Sequence, residues 1–95
     1  MNNRLLQKIR DTILKGEYDV SIHAIEEMAE DGLDILDVES AILNGELTKI
    51  ETDDPRGERY TIKGQGVNEQ RTVGVVGRFT ETGIYLLITV YEAIE

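Results

Sequence analysis

One histidine, the acids beside it and five cations nearer the carboxyl end are the side chains of this sequence with chemistry to offer. His23 is the only histidine. It stands two residues after Ser21, whose hydroxyl suits a helix N-cap, so the ring falls in the first turn of a helix. Glu27 lies four residues on, along the same helical face. The helix dipole disfavours an imidazolium there and the carboxylate favours it. Such a ring can pass a proton as general acid or base. It can equally bond a neighbouring loop and fix the helix start, and the sequence leaves both readings open. His23, Glu26 and Glu27 make no metal site without ligands converging from elsewhere, and nothing marks any. No metal or cofactor is expected.

The cations are Arg56, Arg59, Lys63, Arg71 and Arg78. All fall on or beside expected strands. Guanidinium forks fit phosphate oxygens. With Tyr60, Tyr85 and Tyr91 they would make a basic, aromatic sheet face on which bases stack. Their other reading is solvent-facing charge that guards sheet edges. Gly64-Gln65-Gly66 is no phosphate loop, since it lacks the lysine and the following helix.

Composition narrows the classes. Ninety-five residues make one domain with one modest core. The absence of cysteine excludes disulfides, zinc–thiolate sites and thiol catalysis. No apolar run approaches the roughly 20 residues of a membrane span. Met1-Asn2-Asn3-Arg4 begins a helical pattern without a signal-peptide core, so a cytoplasmic protein is expected. Residues 1–16 carry a charge of +3, residues 17–55 carry −12 and residues 56–95 carry 0. The total of −9 repels nucleic acid at long range, so RNA would need a local basic patch. The acidic middle suits a basic partner protein, or is simply a solvated face.

The elements that must position these residues follow from periodicity. Leu5, Leu6, Ile9, Ile13 and Leu14 predict a helix over 4–15, capped by Asn3 and ended by Gly16. Residues 17–20 read as a short extended link. A second helix runs from Ser21 to about Asp31 with Ile22, Ile25, Met28 and Ala29 inward, ended by Gly32. Asp34, with Asp37 three residues on, caps a third helix whose stripe is Ile35, Val38, Ala41 and Ile42. Strands are predicted over 47–52, 59–63, 71–79 and 84–91, the first a polar edge, with a flexible connection over 64–70. In the last strand Ile84, Leu86, Ile88 and Val90 are expected to meet the helices. Tyr85, Leu87, Thr89 and Tyr91 are expected to line the opposite face. The fold class is α+β: an N-terminal helix and a helical hairpin on one face of a four-stranded antiparallel sheet.

Ser21-x-His23-Ala24, Met28, Gly32-Leu33, Asp37-Val38 and Asn44-Gly45-Glu46 together resemble the bacterial family called domain of unknown function 4258. Asp54-Pro55-Arg56-Gly57, Arg59-Tyr60 and Ile88-Thr89-Val90-Tyr91 extend the resemblance over about residues 18–92. That family is similar in size and layout to toxins of the RelE and BrnT kind. The resemblance implies a RelE-like fold, with residues 1–16 as an added helix and 17–95 as the toxin-like domain. It implies a member of a toxin–antitoxin pair that cleaves RNA without metal or blocks translation, in active or degenerate form. Its partners would be RNA and a small antitoxin. Under this reading His23, Arg59 and Tyr91 are the catalytic candidates. Arg56, Arg71, Arg78, Tyr60 and Tyr85 are the RNA contacts. The chain departs from the family habit at Glu27 and Asp31, where relatives carry arginine. The alternative is a non-catalytic protein-interaction module of the same fold, binding through its acidic hairpin.

Overall fold

The amphipathic amino-terminal segment folds as helix α1 (Asn3–Leu14), burying Ile9, Thr12 and Ile13. The structure, a computed structural model, describes residues 3–94. Asn3, the expected cap, is already helical, and what precedes it lies outside the described residues, as do Met1 and Asn2 of the amino-terminal reading. Helix α2 (Ile22–Asp31) starts and stops where expected. The Ser21 hydroxyl accepts from the Ala24 amide, and Gly32 ends the helix in the left-handed conformation at φ 66°. Helix α3 (Ile35–Asn44) opens with a complete capping box. The Asp34 carboxylate accepts from the Asp37 amide, and the Asp37 carboxylate accepts from the Asp34 amide.

The sheet corrects the expected one. It has five strands, not four, and one pair is parallel. The strands are β1 (Tyr18–Val20), β2 (Glu46–Glu51), β3 (Arg59–Gln65), β4 (Thr72–Phe79) and β5 (Tyr85–Ala93), in the order β1-β5-β4-β3-β2. The segment read as a link is β1, running parallel to β5 with Tyr18 opposite Tyr85 and Val20 opposite Leu87. Three residues are too few to show a period of two. What makes them a strand is the edge of β5, more than sixty residues away in sequence. The polar edge expected around 47–52 is β2, at the end of the order.

All three helices pack on one face, as expected. Their buried residues Ile9, Ile13, Ala24, Met28, Val38, Ala41 and Ile42 join Tyr60, Ile62, Val73, Val75, Tyr85, Leu87 and Val90 in a single core. Ile62, Val75 and Val90 sit opposite one another across β3, β4 and β5. The expected phase of β5 is reversed over its first half. Val76 pairs with Thr89 but Gly77 pairs with Leu87, so Ile88 is the extra residue of a β-bulge. Below the bulge Tyr85 and Leu87 point to the helices; above it Val90 does. A run of nine mostly apolar residues conceals such a flip.

Two glycines of β4 make room for two tyrosines of β5, one on each face. A Cβ at Gly77 would lie 2.5 Å from the Tyr85 ring, and one at Gly74 would lie 2.2 Å from the Tyr91 ring. Tyr85 is fully buried, with its ring edge-on to Phe79 at 5.0 Å. Among the described residues its hydroxyl has no hydrogen-bond partner. Tyr85→Phe removes that orphan and keeps the ring. The expected result is a gain of about 1 kcal/mol, read by denaturant unfolding. A loss of stability would mean that the hydroxyl is satisfied.

The buried tyrosines also set an alkaline limit. Burial, and then hydrogen bonds to Glu39 and Glu58, push Tyr18 and Tyr60 from 10.0 up to about 12. Burial raises Tyr85 further. A raised folded value contributes stability in full below the unfolded value and loses it as pH climbs through the folded one. Stability should therefore fall from pH 10 towards pH 12. Tyrosinate absorbance from three of the four tyrosines should be delayed past pH 10 towards pH 12, rising together with or after the loss of circular dichroism. Ionisation of all four ahead of unfolding would contradict this packing.

Candidate nucleic-acid interface

The face of the sheet turned away from the helices carries no described element, and its residues follow from the register. Because Ile62, Val75 and Val90 point inward, Thr61, Lys63, Gly74, Val76, Thr89 and Tyr91 point outward. Arg59 and Arg78 belong to the same outer set, as does Lys49 of β2. The outer face therefore holds four cations, the two carboxylates Glu46 and Glu51, a half-exposed tyrosine, the buried Thr61 and the half-buried Thr89. Arg59 and Lys63 are four residues apart along β3, about 13 Å.

Two of these cations have no described partner. Among the described residues neither the Lys63 nor the Arg78 side chain makes a hydrogen bond or ion pair. Arg78 shares a polar cleft of about 570 Å³ with Pro55, Arg56, Thr80, Glu81 and Thr82. The other guanidiniums there are engaged. Arg56 forks onto Asp54 through Nε and Nη2, each at 3.2 Å, and this pairing holds the Asp54 carboxyl below its ordinary range. Arg59 donates to Glu51 at 3.2 Å, while its buried Nε lies 3.9 Å from Asp54 without a hydrogen bond. Asp54 and Glu51 thus fold the turn over 53–57 against the strands and leave Arg78 as the free cation of a cleft it shares with Glu81.

The remaining candidates lie elsewhere. Arg71 donates to the carbonyls of Asp31 and Gly32 and to the Glu92 carboxylate, so it clasps the end of α2 to β5. Tyr60, 7% exposed, and Tyr85, fully buried, face the helices and offer no ring to a base. Of the three expected stacking tyrosines only Tyr91 reaches the open face.

His23 stands at the sheet margin. Its side chain is 67% exposed, and its described partner is Glu27 at 3.3 Å. No hydrogen bond or ion pair joins it to Arg59 or Tyr91 among the described residues. Glu27 is itself held, since its other oxygen accepts the Val90 amide at 3.0 Å. One turn on, Asp31 accepts the Glu92 amide at 3.1 Å. β1 covers β5 only as far as Leu87. Beyond it the two carboxylates take the place of the missing strand. The spacing fits, because four residues of helix rise about 6 Å and two residues of strand about 6.7 Å. This anchoring turns α2 so that Ala24 and Met28 are buried, while three residues expected inside are exposed: Ile22 at 77%, Ile25 at 52%, and Ala29. Sequence reasoning missed the role of both carboxylates. The i, i+4 acid pair was the available signal, but its partner amides belong to a distant strand. Among the described residues no three histidine or acidic side chains converge, and no helix is long and apolar enough to cross a membrane.

The family model described as a domain of unknown function (DUF4258) matches residues 20–92. No curated protein and no solved structure matches the chain.

Proposed function

The chain belongs to the family of the domain of unknown function DUF4258, and from that premise we propose a toxin-like domain that blocks translation by holding single-stranded RNA on its open sheet face. Holding rather than cutting is the reading the geometry favours. The carrying observation is that Lys63, Arg78, Arg59, Lys49 and Tyr91 share an uncovered face in a chain of charge −9. Phosphates would meet the two unpaired cations, and a base would stack on Tyr91 over Gly74. His23, attached to a carboxylate on another margin, contributes no proton transfer to a phosphate on that face. In this reading the protein is bacterial and cytoplasmic, resembles toxins of the RelE and BrnT kind in layout, and is silenced by a small antitoxin.

The test is anisotropy of a labelled single-stranded RNA across a salt series. Affinity should fall steeply with salt. Lys63→Glu and Arg78→Glu should each weaken binding and lower the log–log salt slope by about 1. Induced expression should arrest growth with RNA intact, and His23→Ala should arrest it equally. Binding indifferent to salt, or RNA cleavage abolished in His23→Ala, would overturn the proposal. One observation favours the protein-interaction alternative: Ile22 and Ile25 stand exposed on α2 among Glu26 and Glu30, a surface suited to a basic amphipathic helix.

A further inference from the structure

We propose that the free edge of β2, with the groove beside it, is a second binding surface that accepts an extended, basic strand from a partner protein. β2 closes the strand order, so one side of its backbone bonds β3 and the other faces no described strand. Such an edge is a template for an added strand. Proline, a common guard of edges, is absent from it. Its one irregularity is the bulge at Thr48, beyond which Lys49, Ile50 and Glu51 pair in sequence with Thr61, Tyr60 and Arg59.

A groove of about 460 Å³ lies between this edge and α1, reached by Leu6 from the helix and by Leu47 and Ile50 from the strand. That volume is within the range of about 300–1,000 Å³ in which proteins hold ligands. Leu47 and Ile50 share the inward side with their partners Ile62 and Tyr60, and Ile50 is still 43% exposed. Alternate side chains of an added strand would enter the groove against Leu6, Leu47 and Ile50, while its backbone bonded the free edge.

Charge selects the occupant. The outward side of β2 presents Glu46, Lys49 and Glu51. Lys49 and Arg59 already engage Glu51, whereas Glu46 has no ion-pair partner among the described residues. A basic residue opposite Glu46 completes a cross-strand pair, and the charge of −9 draws a basic segment to the domain. A second copy fits worse. Pairing β2 with itself about its centre sets Glu46 against Glu51, and both copies carry −9.

The experiment titrates the full chain with a short labelled peptide alternating valine and lysine, and with its valine–glutamate counterpart, while hydrogen exchange reads the β2 amides. The basic peptide should bind and protect amides within Glu46–Glu51, and the acidic one should not. Ile50→Asp should weaken binding about tenfold through the lost apolar contact. Glu46→Lys, a change at an exposed site, should weaken it as well. Failure of the basic peptide to bind, binding that leaves β2 unprotected, or indifference to both variants would each overturn the proposal. Protection of β2 in a dimer without peptide would replace the partner strand by a second copy. RNA should not compete, which separates this surface from the open face.

Discussion

Gly64→Ala should lower the melting temperature by about 8–24 °C, from about 2–3 kcal/mol of overpacking at about 4–8 °C per kcal/mol for a domain of this size. The reason is space, not backbone conformation. A Cβ at Gly64 would lie 2.2 Å from the Ala41 carbonyl oxygen and 2.7 Å from the Gly45 Cα. A Cβ at Gly45 would lie 2.3 Å from the Lys63 carbonyl oxygen. Both glycines face main chain at the crossing of α3 and β3, where no side chain can swing aside. Arg10 tightens the same point by donating to the carbonyls of Ile42 and Gly45. Overpacking of this kind costs about 1–3 kcal/mol and sometimes more, a large share of an ordinary domain's stability of about 5–15 kcal/mol. Gly74→Ala is the control. The atom in its way belongs to the half-exposed Tyr91 ring, which can rotate outward, so the melting point should fall less while the open face changes shape. Gly64→Ala melting with the wild type would disprove the close approach of α3 to β3.

Glu27→Arg should destabilise this chain by about 2 kcal/mol, the cost of a charge-assisted hydrogen bond and the amide it leaves unpaired. Guanidinium has donors only, so it cannot accept from the Val90 amide that Glu27 now holds at 3.0 Å. The melting point should drop by roughly 8–16 °C. Glu27→Gln retains an acceptor oxygen and should lose less than half as much. Exchange of the Val90 amide should quicken in the arginine variant and less in the glutamine variant. RNA affinity of the folded Gln variant should match the wild type, because position 27 lies at the margin of β5 and not on its open face. Increased affinity in a stably folded Arg variant would show that this margin meets phosphate after all.

Local signals and long-range ones fared differently. The start and stop of α2 were legible because Ser21 and Gly32 act on amides and carbonyls within one turn. The Asp34–Asp37 box was legible for the same reason. β1 was not, since three residues carry no period and their hydrogen bonds go to β5. The face of β5 was not, since the bulge at Ile88 is set by pairing with β4. The site shared that fate: Lys63, Arg78 and Tyr91 reached the open face, whereas Tyr60 and Tyr85 entered the core and Arg71 became a clasp.

By itself the sequence determined a charge-sorted α+β chain, three helices with the caps of two of them, a polar edge strand and membership of its family. Those follow from periodicity, composition and contacts a few residues apart. Tertiary structure alone decided that the sheet has a fifth, parallel strand, that Glu27 and Asp31 act as its continuation, and which cations lie free on the uncovered face. Each of these depends on what stands across from a residue rather than beside it, and a bulge or a neighbouring carboxylate is enough to change that partner.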